Sequence, residues 1–339
     1  MIQKIVEKSL NDKELSEKEI KDLFKVPVFS KESSLLLWAA RKKSAQVSNG
    51  VAEVHAQIGL NIAPCPQNCL FCSFAARNKV FTDSFELPID DAVFQARQFE
   101  TEKANAIYLM ATANYPFEKF IETSKEIRRA LKRDTVLVAN IGDFTIAQAQ
   151  ELKHVGFSGI YHAVRLGENH DTCIPVEKRL ETMRNAQEAG LLVGTCVEPV
   201  GIEHSMDELV EKTIITRDIK PVYSGAARRI PIPHTKLAQY GVVSEAKMAL
   251  ILAVVRLALD GDIRGNCTHE PNVLGAFAGA NLLWAEVGSN PRDTIKDTEK
   301  KRGMSVKNCI SILKEVEWNV LEGPSQFYRA YEAYKEIGP

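Results

Sequence analysis

Three cysteines stand within eight residues in the first quarter of the chain. Residues 61–72 read NIAPCPQNCLFC, so Cys65, Cys69 and Cys72 have the spacing C-x3-C-x2-C. Three thiolates from one short loop can ligate three irons of a [4Fe-4S] cluster and leave the fourth iron open to a chelating ligand. A structural zinc site is the alternative, but it needs four ligands and no second cysteine pair lies nearby. The spacing therefore predicts an iron–sulfur cluster with one open iron.

Four further cysteines are scattered along the chain: Cys173, Cys196, Cys267 and Cys309. An odd total, with three crowded together, argues against a secreted disulfide framework and favours metal binding in a reducing compartment. Cys309 lies within an amphipathic helical pattern over 306–316, where it is expected to fill the core.

The elements that must position these residues alternate along the chain. From about residue 55, short apolar runs alternate with amphipathic stretches. After the first strand, the predicted strands are 106–111, 135–141, 159–164, 191–197, 227–232, 262–266 and 281–287. The predicted helices between them are 117–131, 146–155, 176–189, 206–218, 244–258 and 274–278. This alternation favours a (βα)8 TIM-type barrel, and the alternative of an open doubly wound sheet lacks a G-x-G-x-x-G after its first strand.

Residues 1–50 are predicted to form an N-terminal helical extension, because apolar residues recur there at helix-like intervals and 33–47 continues the pattern. The barrel is predicted over 51–320 and a C-terminal tail over 321–339.

The charge balance excludes some partners. The chain has 43 Lys and Arg residues against 44 Asp and Glu residues, and these charges are spread along its length. The sequence therefore shows no cluster of positive charge of the kind that binds nucleic acid or an anionic membrane. Apolar stretches such as 249–259 are too short to span a bilayer, and Met1 leads directly into a polar helical pattern. We expect a cytoplasmic protein that binds neither nucleic acid nor membrane.

The cysteine motif, with an aromatic residue before its last cysteine, resembles that of the radical S-adenosylmethionine (SAM) superfamily. The resemblance implies that Cys65, Cys69 and Cys72 hold a [4Fe-4S] cluster that cleaves SAM reductively to a 5′-deoxyadenosyl radical. It also implies that Phe71 lies near the adenine of the cofactor. The motif follows the first predicted strand, where that family has it.

Over nearly the whole chain the sequence looks closest to the biotin synthase group. Residues 233–237 read PHTKL where biotin synthase has a Gly-Thr-Pro-Leu segment, and residues 277–281 read FAGAN where it has a Met-Ala-Gly-Ala-Asn turn. These segments are similar to the biotin-and-thiamine-synthesis-associated region, which closes the barrel.

Several cofactor contacts follow from the resemblance. Arg165 and Glu168 end the fourth predicted strand, where related maturases have an Arg and a Glu that contact the carboxylate and amine of SAM. A surface ion pair is the alternative for these two residues. Met110 and Ala111 occupy the slot of the Gly-Gly-Glu cofactor strand without its Glu, which implies recognition of the amine by backbone. Arg264 matches the arginine that bonds the auxiliary iron–sulfur cluster of biotin synthase.

The sequence departs from biotin synthase at positions that bind its auxiliary cluster and its substrate. Its cluster cysteines are missing from the second and third predicted strands, and on the fifth Cys196 lies two residues beyond the closest match, on the same strand face. Arg165 and Gly167 replace the Asn and Asp that hold the biotin precursor. We therefore expect an enzyme other than biotin synthase.

A second, auxiliary iron–sulfur cluster is predicted at the carboxyl ends of the strands, the face where barrel enzymes place their active sites. Space-filling thiols in the core are the alternative. The expected ligands are Cys173, Cys196 and Cys267, with a fourth from Arg264, His269 or Ser325.

Two further residues are assigned to catalysis. His269 is expected to donate protons or to ligate iron. Arg228 and Arg229 are adjacent on the sixth predicted strand, so only one of them can point into the barrel. An inward arginine needs an anion such as a substrate carboxylate or the cluster, and we assign Arg228 to this role.

The predicted activity is sulfur insertion at unactivated C–H positions of the lipoyl synthase type, on an octanoylated carrier protein or a small molecule. The alternatives are a carbon-skeleton rearrangement or fragmentation, as in methylornithine synthase and hydrogenase maturases, and biotin synthase-like activity. A non-enzymatic iron–sulfur carrier is a third class. An electron donor such as ferredoxin or flavodoxin and a second radical SAM subunit are the expected protein partners.

Overall fold

The computed structural model describes residues 1–329. Its helices are α1 (Ile2–Leu10), α2 (Glu17–Phe24), α3 (Lys31–Val47), α4 (Ile89–Thr101), α5 (Phe117–Ala130), α6 (Ile146–Val155), α7 (Val176–Glu188), α8 (Met206–Ile219), α9 (Glu245–Ala258), α10 (Val273–Phe277) and α11 (Val306–Glu315). Its strands are β1 (Val51–Gly59), β2 (Asn61–Ile62), β3 (Phe85–Glu86), β4 (Ala106–Met110), β5 (Val136–Asn140), β6 (Gly159–Tyr161), β7 (Leu192–Gly194), β8 (Val197–Val200), β9 (Tyr223–Arg228), β10 (Gly265–Cys267), β11 (Leu282–Gly288) and β12 (Asn319–Val320).

Eight parallel strands close into a barrel. Strand β1 pairs with β4 on one side and with β11 on the other, and β9 pairs with β10, so the ring has no open edge. The strand order around the barrel is β1, β4, β5, β6, β7, β9, β10 and β11. The (βα)8 TIM-type fold predicted from the sequence is confirmed.

Local sequence signals explain where most elements begin and end. Helix α6 begins after Thr145, whose hydroxyl accepts a hydrogen bond from the backbone of Gln148, and ends at Gly156 with a φ of 105°. The sixth predicted strand was placed wrongly, because β9 ends at Arg228 rather than extending to residue 232. Pro231, within the predicted range, has no N–H to donate to a strand ladder.

The N-terminal helices pack against the barrel as part of one core. Helix α9 is buried along its whole apolar length because α1, α2 and α3 cover its outer side. Among the described residues no helix is long and apolar enough to cross a membrane.

The amino-terminal end of the barrel is closed by the segment that follows β12. Glu53 on β1 is fully buried and accepts hydrogen bonds from the backbone of Gln326 at 2.7 Å and of Phe327 at 3.1 Å. The Ser325 hydroxyl donates to the same carboxylate. The predicted C-terminal tail thus begins with residues that fill the barrel floor, and its part from residue 330 onward lies outside the described residues.

Candidate active site at the barrel mouth

The cysteine motif forms a loop just after β1, at the carboxyl end of the strands. The backbone of Cys65 donates a 2.8 Å hydrogen bond to the carbonyl of Phe74 and so closes the loop. The side chain of Asn78 donates to the carbonyls of Cys69 at 3.0 Å and Cys72 at 2.8 Å. All three cysteines of this loop line one cavity at the barrel mouth.

The thiols of this loop are protonated in the absence of metal. Burial raises the pKa of Cys69 to about 11 and that of Cys72 to about 12, and it also raises the pKa of Cys65. Iron binding removes such protons because the thiolate is the ligand. Three thiols on one cavity wall fit a [4Fe-4S] cluster with one open iron.

The other predicted cofactor contacts on this wall are in place. Phe71, Met110 and Ala111 all line the cavity beside the cysteine loop. The sulfur of Met110 accepts a hydrogen bond from the Gln57 side chain at 3.4 Å, which ties β4 to β1 at this level. The structure therefore brings the residues that were predicted to contact the adenine and the amine of the cofactor to the same opening.

The structure gives Arg165 and Glu168, both predicted to contact the cofactor, different positions relative to the cavity. Arg165 lines the cavity, where its Nε lies 3.7 Å from Oε1 of Glu198. Burial acts to lower the pKa of Arg165, but the carboxylates of Glu198 and Glu168 outweigh it and raise that pKa. Arg165 is thus a fixed cation at the site, as its proposed contact with a carboxylate requires.

Glu168 is not among the residues that line the cavity, and its contact with the cofactor amine stays a prediction. Its carboxylate is fully buried and accepts hydrogen bonds from the backbone of Arg165 at 3.0 Å and from the Arg179 side chain at 3.3 Å. The Thr172 hydroxyl donates to its other oxygen at 2.6 Å. Glu168 thus holds the two arginines in place through its buried carboxylate.

Arg179 and its partners were not found by sequence reasoning. Arg179 lines the cavity and donates to Asp143 at 3.2 Å, and the same carboxylate lies 3.0 Å from Nε2 of His162. Burial lowers the pKa of His162 to about 4, so this ring is neutral at pH 7. Arg179 stands on α7 among other charged residues, and no motif distinguishes it there.

A second group of metal-binding side chains lies inside the barrel. Cys196, Cys267 and His269 each offer a ligand atom within 4.8 Å of the other two. The two sulfurs are 2.7 Å apart, and Cys196 Sγ lies 3.5 Å from His269 Nε2. All three residues are buried, and the His269 ring stacks on Trp284 with 4.8 Å between ring centres.

The structure does not bring the other predicted ligands of the second cluster to this group. Cys173 is exposed, and its backbone donates to the Gln67 carbonyl in the first cysteine loop. It stands twelve residues beyond the end of β6 at Tyr161, so the strand does not determine its position. Ser325 is on the barrel floor with Glu53.

Arg264 is also directed away from this group. Its guanidinium donates to the backbone carbonyls of Phe327 and Arg329 near the barrel floor. Arg264 precedes Cys267 by three residues, and a strand rises about 3.3 Å per residue. The two residues are therefore roughly 10 Å apart along the strand direction.

The choice between the adjacent arginines of β9 is corrected. Arg229 lines the cavity and binds Glu203 through two hydrogen bonds of 2.8 and 3.0 Å. Arg228 pairs with Glu270 and Glu245 and does not line the cavity. Only one arginine points inwards, as predicted from strand alternation, but it is Arg229.

A three-cysteine loop after the first strand of a closed parallel barrel is the arrangement expected of a radical SAM protein, and comparisons with known proteins find similar chains. The model of the radical SAM superfamily matches residues 63–215. Biotin synthase of Anaplasma marginale is 24% identical over 277 residues, covering 78% of this chain and 84% of that protein. Biotin synthase of Carboxydothermus hydrogenoformans is 24% identical over 292 residues, covering 80% and 89% respectively.

Solved structures show the same fold. The FeFe-hydrogenase maturase HydG from Carboxydothermus hydrogenoformans has a TM-score of 0.79 at 19% identity, covering 97% of this chain and 81% of that one. Methylornithine synthase (PylB) has a TM-score of 0.79 at 16% identity, covering 97% and 99%. By these comparisons the chain is similar to radical SAM proteins, and among them to the biotin synthase-like group.

Proposed function

We propose that this protein is a radical SAM enzyme that inserts sulfur at unactivated C–H positions, in a lipoyl synthase-type conversion of octanoyl to lipoyl groups. The observation that supports it most is the second group of thiols inside the same barrel. His269, which lies within bonding reach of Cys196 and Cys267, also lines the cavity that Cys65, Cys69 and Cys72 face. A substrate in this cavity would lie between a radical source and a second metal centre.

The first centre would supply one-electron cleavage of SAM when its [4Fe-4S] cluster is bound. The residues around it are suited to hold the cofactor's amino-acid end. Arg165 and Arg179 place two cations on the cavity wall, and Glu168 holds both through hydrogen bonds. The backbone of Met110 and Ala111 would bind the amine, since Glu198, the acid that lines the cavity beside Arg165, is paired with that arginine.

The substrate would be an octanoylated carrier protein or a small molecule with a comparable aliphatic chain. Sulfur would come from the second centre, which the resemblance to biotin synthase presents as an auxiliary iron–sulfur cluster. Electrons would come from ferredoxin or flavodoxin in the cytoplasm. A second radical SAM subunit would act with this one where two sulfurs must be inserted into one chain.

The test is product analysis with matched cysteine variants. Anaerobically reconstituted protein is incubated with reductant, SAM and a panel of octanoyl-lysyl peptides, and products are identified by mass spectrometry. We expect 5′-deoxyadenosine and a sulfur-containing peptide from the wild type and from Cys173→Ala, the exposed control. Cys196→Ala should still form 5′-deoxyadenosine but no sulfur-containing peptide. Cleavage of SAM by the wild type without sulfur in any peptide would overturn the proposal.

A further inference from the structure

We infer that Cys196, Cys267 and His269 bind a single divalent transition-metal ion, rather than a second cubane cluster. This inference rests on the proposed function only for the use of the metal, and it changes the source of sulfur: a single ion holds no bridging sulfide, so inserted sulfur would reach the ion from outside the chain. The binding site itself follows from the spacing, anchoring and charge of the three side chains.

The spacing of the ligand atoms is closer to that around one ion than to that around a cubane. With metal–sulfur bonds of about 2.3 Å and metal–nitrogen bonds of about 2.05 Å, a tetrahedral ion separates sulfur from nitrogen by about 3.6 Å and two sulfurs by about 3.8 Å. Cys196 Sγ and His269 Nε2 are 3.5 Å apart, and the sulfurs of Cys196 and Cys267 are 2.7 Å apart. Separate irons of a cubane would require roughly 6.5 Å between the sulfurs.

The barrel backbone limits how far the two thiols can move apart. Cys267 pairs with Gly225 of β9 and with Leu282 of β11, so neighbouring strands hold it on both sides. A Cβ added at Gly225 would lie 2.0 Å from the Cys267 carbonyl oxygen, which shows how closely these strands pack. The backbone of Cys267 is therefore fixed, and the opening of about 1 Å that one ion requires needs only side-chain rotation.

The third ligand is held in a fixed orientation. The His269 ring is stacked on Trp284 at an interplanar angle of 12°, and Arg292 donates to the His269 carbonyl at 3.0 Å. Metal-binding histidines need such support because the ring must point one nitrogen at the ion.

The first cysteine loop provides a contrast within the same chain, since its three thiols form no group as tight as this one in residues 1–329.

The donor set and its charge suit a divalent ion of the zinc or ferrous type. Two thiolates and a neutral imidazole are soft to borderline ligands, and their two negative charges cancel those of the ion in a buried site. Three protein ligands leave a tetrahedral ion one position for a ligand from outside the chain, as in catalytic rather than structural sites. Because His269 lines the cavity, that ligand would be a substrate atom or a sulfide.

The test uses Co²⁺ as a spectroscopic probe in the full-length Cys65→Ala/Cys69→Ala/Cys72→Ala variant, which lacks the first cluster site. Titration of the reduced protein under anaerobic conditions should saturate at one equivalent, with the absorption of tetrahedral cobalt and a thiolate-to-cobalt charge-transfer band. Adding Cys196→Ala or Cys267→Ala should halve the charge-transfer band and weaken binding at least about 100-fold. Adding His269→Ala should retain that band but alter the ligand-field bands.

Two controls and a second measurement keep the inference testable. Adding Cys173→Ala or Cys309→Ala, an exposed and a buried thiol outside the group, should change nothing. If the triple variant does not fold, metal analysis of reconstituted wild type decides: about five metal ions and four sulfides per chain are expected. Eight irons and eight sulfides per chain, or six irons and six sulfides, would overturn the inference because they would indicate a second iron–sulfur cluster. Failure of the reduced protein to bind cobalt would overturn it as well. Product analysis tests the proposed function separately from metal binding. Protein that binds one ion at this site but inserts no sulfur would overturn the proposed function and leave this inference standing.

Discussion

Arg179 illustrates how the site is built at the scale of single residues. It is almost fully buried, yet it lines the cavity and is held by Glu168 and Asp143. A buried cation with two carboxylate partners is fixed in position, so it can meet an incoming anionic group without reorganisation. Arg165, fixed by Glu198 on the same wall, gives the site a second such cation.

The first residue-scale prediction concerns the cluster loop. Cys69→Ala should abolish reductive cleavage of SAM, because two thiolates cannot hold a cubane with one open iron. The second centre should still bind its metal, since Cys196, Cys267 and His269 are untouched. Chromatographic measurement of 5′-deoxyadenosine checks the first part and metal analysis the second. Cys173→Ala is the control, and a normal rate from Cys69→Ala would contradict the assignment of the cluster.

The second residue-scale prediction concerns the buried arginine. Arg179→Gln should weaken SAM binding about 10- to 100-fold while leaving the iron of the first cluster unchanged, because one charge-assisted contact is lost. Equilibrium dialysis with labelled SAM measures the affinity, and iron analysis tests the cluster. Lys178→Gln, the exposed neighbour on α7, is the matched control. Equal affinity in both variants would show that Arg179 is only structural.

At the scale of elements, the N-terminal helices protect the most apolar helix of the barrel. Helices α1 and α3 pack against α9, and at their junction Lys43 is buried, with its Nζ donating to the Ser9 hydroxyl at 3.1 Å. Burial lowers the pKa of Lys43 to about 7, and nearby Arg256 contributes to the shift. The junction therefore contains an amine whose charge costs stability in the folded state.

This junction should make stability depend on pH. Between pH 7 and 10.5 the unfolded chain keeps the Lys43 proton that the folded chain loses, so rising pH favours folding by up to about 1.4 kcal/mol per pH unit. Chemical denaturation should show this slope as the difference between wild type and Lys43→Met, in which other titrating groups cancel. Lys42→Met, an exposed neighbour on α3, should follow the wild type. Identical pH dependence of wild type and Lys43→Met would refute the role of the junction.

At the scale of the whole molecule, the barrel is closed by residues from opposite ends of the chain. Glu53 on the first strand accepts hydrogen bonds from residues 325–327, and His55 links this carboxylate to buried tyrosines through Tyr108. Since these aromatic side chains lie in the same core as Cys196 and Cys267, the floor also supports these two thiols from below.

Glu53→Gln should therefore destabilise the whole barrel. The carboxylate accepts four hydrogen bonds in a fully buried position, and an amide cannot accept all of them, so we expect a loss of about 3–5 kcal/mol. Urea denaturation measures the free energy of unfolding. Glu322→Gln, an exposed carboxylate in the same region, should change it by less than about 0.5 kcal/mol. Equal stability of the two variants would mean that the floor contributes little.

Much of this protein is determined by local sequence. The C-x3-C-x2-C spacing places three thiols on one loop whatever surrounds it, and strand–helix alternation leads to a parallel barrel because adjacent segments pack next to each other. Strand alternation also required that only one of Arg228 and Arg229 face inwards. These predictions depend on contacts between residues that are close together in the sequence, or on the side-chain periodicity of a single helix or strand.

Only the tertiary structure decided which distant residues meet. Cys196 and Cys267 are 71 residues apart, and their contact depends on closure of the ring around β9. Cys173 has the same residue type and follows a strand, yet a twelve-residue loop carries it away from them. Burial of Glu168 by Arg179 and Thr172 is likewise a matter of packing. The reason is physical: spacing along the chain determines local geometry, whereas ligand sets and charge pairs are completed by side chains that only the closed barrel brings together.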